Sequence, residues 1–394
     1  MERVSQSPTD LGFVQDPYPF YAAARHYGDL VYWTDYKMPC AVSHRAVAAL
    51  LKDRRFGREE PEERRKPIPE HLRAFYAVEA HSMLELEPPH HTRLRALVLR
   101  AFTSRRIKEL APEISTLCHQ LVDQFPDDGP FDLLTHYAQH LPVIIIARLL
   151  GVPEDMAPDL LRWSNAMVGM YQAGRSRVDE DSAITATEEF VAFLRRYVQD
   201  RRADPRDDLI SHLIAAEDDG QKLSTDELIT TCILLLNAGH EATVHTLGNG
   251  VKALLETGHR PGSDPAPMIE EILRYDPPLH MFTRYAYERV EVFGHIFERG
   301  DEVGLMLASA GRDHSIYDAP DEFRANRTGP ANLAFGGGLH FCVGAPLARL
   351  ELQIALPILF DRCPTLTLTQ TPQYADIFHF HGLSALMVNK TEKL

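Results

Sequence analysis

A capping box at residues 224–227 opens the element around which the rest of this chain has to be arranged. Ser224 stands at the N-cap position and Glu227 three residues on, the reciprocal pair that satisfies the first free amides of a helix. The helical pattern then continues from Leu228 to about Glu256. At 1.5 Å per residue such a helix is roughly 45 Å long. Other elements must therefore wrap around it. In its middle, after Cys232-Ile233-Leu234-Leu235-Leu236, stands Ala238-Gly239-His240-Glu241-Ala242-Thr243. Gly239 costs helix stability on the order of 1 kcal/mol against alanine. A carboxylate beside an apolar run is costly if buried without a partner. Two readings stand at this point: a helix that turns Glu241 to solvent, or a helix interrupted for chemistry.

Helical periodicity dominates from about Leu94 to Leu255. Residues 106–125 place Ile107, Leu110, Ile114, Leu117 and Leu121 on one helical face. Residues 141–150 read as a buried helix stopped by Gly151-Val152-Pro153, and residues 188–202 as an amphipathic helix ended by Asp204-Pro205. Strand-like pieces are short and lie near residues 29–33, 39–42, 290–297, 302–308 and 365–369. The charged, proline-punctuated stretch 54–70 reads as an exposed loop. The fold class is mainly α with a small β-rich part. Without a clean linker or internal repeat, residues 1–394 read as one domain.

The chain carries 41 Lys and Arg against 56 Asp and Glu, a net charge of −15. That field argues against a nucleic-acid binder, which needs a basic surface. The most apolar run, within residues 141–152, is too short to cross a bilayer. There is no signal-peptide pattern at the N-terminus, so the expectation is a cytoplasmic protein without a membrane anchor. Five cysteines at 40, 118, 232, 342 and 363 lack any Cys-x-x-Cys spacing, which disfavours a disulfide framework or structural zinc.

One cysteine is different. In Phe335-Gly336-Gly337-Gly338-Leu339-His340-Phe341-Cys342-Val343-Gly344-Ala345-Pro346 the glycine triplet argues against a regular element and permits close backbone approach. Pro346 suits a first helical turn, so a helix begins near Ala345 and Cys342 lies just ahead of its N-terminus. The helix dipole and free amides there favour a thiolate. From local chemistry alone, three readings remain: a soft metal ligand, a catalytic nucleophile, or a glycine turn with an inert buried cysteine.

The spacing Phe335-x-x-Gly338-x-His340-x-Cys342-x-Gly344 resembles the haem-binding signature of the cytochrome P450 family. Three further segments resemble the family in the same order along the chain. Glu271-Ile272-Leu273-Arg274 is similar to its Glu-x-x-Arg element, with Arg327 at the position of the arginine that joins it. Pro88-Pro89-His90-His91-Thr92-Arg93-Leu94-Arg95 is similar to its helix start over the haem. Ala238 to Thr243 is similar to its oxygen groove.

The resemblance implies a P450-like fold and a haem-thiolate monooxygenase. Haem b is then the cofactor, with Cys342 as its metal ligand. Phe335 and Gly344 belong to the haem-binding loop, and His91, Arg95, Arg284 and His340 meet the propionates. Glu271, Arg274 and Arg327 are structural. Glu241 matches the acid of an acid–alcohol pair that delivers protons, but the alcohol position holds Ala242. Thr243 lies one residue on, rotated by about 100°. The segment 259–266 is shorter than in the family. By position the substrate pocket includes Met83, Leu84, Met167, Met170, Leu235 and Ala238. It is completed by Leu279, His280, Met281 and Phe282, then Phe378, His379 and Phe380. The reaction implied is insertion of one oxygen atom from O2 into a C–H bond of a small, largely apolar organic substrate. Electrons come from a ferredoxin or flavodoxin with its reductase, docking near Arg100, Arg105, Arg106, Lys108 and Arg349. A peroxide-driven enzyme, a non-enzymatic haem sensor and a cysteine hydrolase are the alternatives.

Overall fold

The computed structural model describes residues 1–172, 174–218 and 220–390. Positions 173, 219 and 391–394 of the 1–394 span lie outside the described residues. The capping box forms as the spacing predicts. The Glu227 amide donates to Ser224 Oγ at 3.2 Å, and the Ser224 amide donates to Glu227 Oε2 at 2.8 Å. The helix they open runs Thr225–Thr257 and ends on Gly258 in the left-handed region. It packs against helices His140–Leu150, Ala157–Val168, Arg177–Ala203, Ala266–Tyr275 and Ala345–Arg362. Leu228, Cys232, Leu236, Leu247 and Leu254 are buried along it and belong to one large helical core.

Two helices differ from their sequence reading. Residues 106–125 are not one helix but two, Ser104–Glu109 and Ala111–Asp123. Pro112, which has no amide to donate to the preceding turn, sits in the first turn of the second. Residues 188–202 lie inside a longer helix, Arg177–Ala203. Its earlier start is set by a second capping box, in which the Ser176 amide donates to Asp179 Oδ2 at 2.7 Å and the Asp179 amide to Ser176 Oγ at 3.3 Å. The stretch 54–70 is mostly exposed, but Phe56–Gly57 joins the edge of a sheet. Among the described residues, no helix is long and apolar enough to cross a membrane.

The β-rich part is a six-stranded sheet in the order Glu2–Val4, Leu30–Trp33, Met38–Ala41, Glu302–Met306, Met281–Ala286 and Phe56–Gly57. Its centre joins distant parts of the chain: Glu302–Met306 runs parallel to Met38–Ala41, with Gly304 opposite Cys40, and antiparallel to Met281–Ala286. A smaller sheet pairs Met387–Lys390 with Leu366–Leu368 and with Phe131–Asp132. One face of the large sheet is covered by an aromatic cluster of Phe13, Tyr21, Trp33 and Phe378.

Gly304 is required where the two halves of that sheet meet. A Cβ there would lie 2.8 Å from Cys40 Sγ and 3.0 Å from Met281 Sδ, both buried. Gly304→Ala should therefore lower stability by about 1–3 kcal/mol through overpacking. A urea midpoint unchanged from the parent protein would show that the sheet centre has room to spare.

Candidate active site

Between the long helix and the glycine-rich loop lies a cavity of about 1470 Å³. The helix contributes Leu235, Asn237, Ala238, Gly239, Ala242, Thr243 and Thr246 to its wall. The loop contributes Phe335, His340, Cys342 and Gly344.

The loop's shape follows from its glycines. Gly336 and Gly338 have φ of +71° and +66°. A Cβ on Gly338 would also strike the Leu51 carbonyl oxygen, so the loop is seated directly on backbone. Gly344 has an ordinary φ of −82° and caps helix Ala345–Arg362. The Cys342 amide donates to the Phe335 carbonyl at 3.0 Å, closing the loop. Arg349 lies over the Phe335 ring at 4.5 Å and pairs with Glu270.

The Cys342 thiol differs from its sequence reading. Burial pushes its pKa up. The amides of Gly344 and Ala345, with the guanidiniums of Arg95 and Arg349, pull it down, but burial prevails. A helix N-terminus does not by itself hold this sulfur as an anion; a metal ion bound to it would.

Around this loop gather donors, of which His91, Arg95 and Arg284 make no ion pair among the described residues, while His340 is held by Glu87. His91 is 1% exposed, and its Nδ1 is buried without a hydrogen bond. Burial, then His340 and Arg95, lower its pKa to about 4, so at neutral pH it is an uncharged donor or acceptor. Its ring lies 4.4 Å from that of His340, whose Nε2 meets Glu87 Oε1 at 2.8 Å. Arg95 donates to the Phe341 carbonyl at 2.7 Å. Arg284 is 4% exposed, donates to the Thr283 carbonyl at 2.8 Å and is held down to about 10, chiefly by burial. Two guanidiniums and an imidazole, each short of acceptors, fit a ligand bearing carboxylates. With the sulfur and the cavity beside them, they fit haem b.

Behind the loop, Glu271 is 2% exposed and its carboxylate lies between two guanidiniums. Arg274 Nε and Nη2 donate to it at 2.7 and 2.8 Å, and Arg327 Nε at 3.0 and 3.1 Å. The Arg324 amide adds a further bond at 2.8 Å. The two arginines continue to backbone carbonyls: Arg274 to Gly311 and Pro320, Arg327 to Ala319 and Glu322.

A family model for cytochrome P450 matches residues 15–258 and 266–391.

The chain is a cytochrome P450. The seven residues between the two matched stretches, 259–265, fall in the segment that reads as short in the sequence. This P450 is 36% identical to the cytochrome P450 monooxygenase PikC of Streptomyces venezuelae, over 94% of this chain and 92% of that protein. It is 39% identical to the vitamin D(3) 25-hydroxylase of Pseudonocardia autotrophica, over 77% and 76% of the two chains. Among solved structures, P450BioI in complex with an acyl carrier protein ligated to hexadec-9Z-enoic acid superposes with a TM-score of 0.90 and 33% identity, covering 96% of this chain and 100% of that one. The chain is accordingly an oxidoreductase of the P450 monooxygenase type, and haem b is its cofactor.

On the long helix of this P450, Glu241 does not line the cavity. Its carboxylate meets His245 Nε2 at 3.2 Å and His240 Nδ1 at 3.6 Å. Burial alone would raise its pKa, but the two imidazoles hold it well below the usual carboxylate range. Thr243 does line the cavity, its hydroxyl donating to the Gly239 carbonyl at 2.8 Å. Thr246, which the sequence reading missed, offers a second cavity-wall hydroxyl, donating to the Ala242 carbonyl at 2.7 Å. Its spacing of four from Ala242 was the available signal.

Of the pocket residues read from sequence, Met83, Leu84, Met170, Leu235, Ala238, Leu279, Met281, Phe282, His379 and Phe380 line the cavity. His280, Phe378 and Met167 do not. His280 is fully buried against Tyr21, its Nδ1 2.9 Å from the hydroxyl, and its ring is 4.3 Å from His381. His381 in turn meets Asp276, whose carboxylate also accepts from Tyr18 and Tyr374. Phe378 packs on Phe13 at 5.4 Å, and the Met167 sulfur accepts from Asn237. His280 follows Leu279 on extended backbone, where neighbours face opposite ways, so adjacency in sequence did not place it in the wall. The wall also holds polar groups the sequence did not mark: Arg58, Glu79, Glu85, Tyr171 and Glu351. Glu351 is 2% exposed, its Oε1 has no partner, and burial raises its pKa to about 8.

The basic patch read near Cys342 is largely neutralised. Arg105 pairs with Glu109 and Arg106 with Asp207, each across an exposed surface, and Arg349 pairs with Glu270.

Glu271→Ala should cost about 3–5 kcal/mol, because it leaves two buried guanidiniums without their counter-charge. The check is a urea denaturation curve of the haem-loaded variant beside its haem content; parent-like values of both would remove the carboxylate from its bracing position.

Proposed function

We propose that this P450 inserts one atom of dioxygen into a C–H bond of a small, largely apolar organic substrate. The observation that carries this reading is the placing of Cys342 and the Ala238–Gly239–Ala242 face of the long helix on one cavity. Haem b, when bound, supplies the redox chemistry that activates dioxygen. Cys342 would hold its iron through the sulfur. His91, Arg95, Arg284 and His340 would bind its propionates, and Phe335 and Gly344 shape the loop beside the sulfur. Ala238, Gly239 and Ala242 keep the helix face low. Leu235, Leu279, Met281 and Phe282 exclude water and hold an apolar skeleton. Kinship to a vitamin D(3) 25-hydroxylase supports a bulky hydrocarbon frame.

Protons are the chain's own task. Glu241, held ionised between His240 and His245, is the carboxylate of the relay, a proton acceptor that passes protons on rather than storing them. Thr243 and Thr246 pass protons on the cavity side in place of the hydroxyl that Ala242 lacks. Electrons come from a separate ferredoxin or flavodoxin with its reductase in the cytoplasm. Exposed ion pairs such as Arg105–Glu109 are worth little, so their arginines can turn to an acidic partner. The absent hydroxyl at Ala242 also favours a second reading, in which hydrogen peroxide replaces dioxygen and the reductase.

Cys342→Ser should remove the thiolate signature from the absorption spectrum of the reduced carbon-monoxide complex; retention of the parent spectrum rejects the ligand. Ala242→Thr should leave product formed per reductant consumed unchanged or lower, because Thr243 and Thr246 already serve the relay. A raised ratio means that they do not replace the missing hydroxyl. Turnover sustained by hydrogen peroxide but by no ferredoxin or flavodoxin system would establish the second reading.

A further inference from the structure

Among the polar groups on the cavity wall, one carboxylate has a hydroxyl for a partner and no cation. Glu79 ends helix Arg73–Glu79 and lies on the wall beside Arg58, Glu85 and Tyr171. Its Oε2 accepts from the Tyr171 hydroxyl at 2.9 Å. The guanidinium facing it, Arg58, is committed elsewhere: it pairs with Glu85 and donates to the Leu84 carbonyl. Other cations of this wall are matched too, Arg65 with Glu59 at 2.7 Å and Arg175 with Glu180 at 3.2 Å, while Lys66 stands on the exposed rim. Two carboxylates thus share one guanidinium in a wall that carries the apolar Phe75, Val78, Met83 and Leu84 together with the polar His81 and Ser82.

We propose that Glu79 is the seat of a cationic nitrogen on the substrate, with Tyr171 orienting its carboxylate and Glu85 deepening the negative field. The inference rests on the reading of this cavity as the substrate chamber. An anionic ligand group would face two carboxylates. A neutral hydroxyl would leave the charge of Glu79 uncompensated. A protonated amine or quaternary ammonium neutralises that charge while its alkyl groups rest on apolar and aromatic surface. Phe75 and Tyr171, with ring centroids 6.2 Å apart, offer two aromatic faces of the kind that attract alkylammonium groups.

The groups that face Glu79 are Glu85, Tyr171 and Arg58. Burial first, then Glu85, push its pKa up to about 7, against the pull of Tyr171 and Arg58. Near neutral pH the free site is therefore part-protonated, and a bound cation selects the ionised form. Affinity for a permanent cation rises as pH passes upward through that value, by about tenfold between pH 6 and pH 8. Affinity for a neutral ligand does not.

The test uses the full-length, haem-loaded protein and two probes of equal shape, (4-phenylbutyl)trimethylammonium and its tert-butyl carbon isostere. The ammonium nitrogen has no lone pair, so it cannot bind iron. Dissociation constants are read by calorimetry and by the ferric absorption shift. The ammonium should bind about tenfold more tightly than the isostere at pH 8, with the advantage nearly gone at pH 6. Glu79→Gln, which keeps the acceptor for Tyr171, should abolish the advantage at both pH values and leave haem content and isostere affinity unchanged. If the isostere binds but the ammonium gains nothing, or its gain survives Glu79→Gln, the cation seat is refuted and the chamber stands. If neither probe binds, the chamber reading falls and the cation seat falls with it.

Discussion

A carboxylate buried to 2% exposure survives only if charge and hydrogen bonds surround it, and Glu271 has both. Arg274 comes from its own helix, while Arg327 comes from a segment 56 positions later that leads into the glycine loop. Each guanidinium is then tied to carbonyls of the turn around residues 318–322. One ionised group thus fixes a helix, an otherwise irregular segment and the approach to Cys342. Irregular backbone has no ladder of its own hydrogen bonds, so its carbonyls must be satisfied from elsewhere. The same residues that neutralise Glu271 perform that service. The cysteine loop is rigid because its base is electrostatic and its floor is the Leu51 carbonyl, which admits only a glycine at Gly338.

The legible parts of this site were those written in short stretches. Cys342, its glycines and the start of helix Ala345–Arg362 are contiguous, so turn chemistry and helix-start rules read them directly. The long helix announced itself through Ser224 and Glu227. Arg327 became legible only through a family resemblance, because nothing local says that an arginine 56 residues away will meet Glu271. The polar wall was not legible at all. Arg58, Glu79, Glu85 and Tyr171 come from separate segments, and each reads locally as an ordinary surface residue. His280 and Phe378 failed for the opposite reason: they adjoin true wall residues but point into the buried Tyr21 and Phe13 clusters.

The long helix carries different chemistry on two faces. Ala238, Gly239, Ala242, Thr243 and Thr246 meet the cavity, while Glu241 meets His240 and His245 away from it. Small residues and hydroxyls bonded back to carbonyls give one face low relief and polar edges. The other face stores negative charge between two imidazoles. One helix can supply both properties because its residues advance by about 100° each.

The six-stranded sheet has a bearing on how the molecule is made. Its central pair joins Cys40 to Gly304, 264 positions apart. Parallel pairing over such a separation must wait until nearly four-fifths of the chain has left the ribosome. Until then the strands near the N-terminus expose unpaired edges and an aromatic face that Phe378 has yet to cover. Synthesis in the cell therefore passes through a long interval in which this half of the protein is sticky and unfinished, and in that interval molecular chaperones have the most to protect.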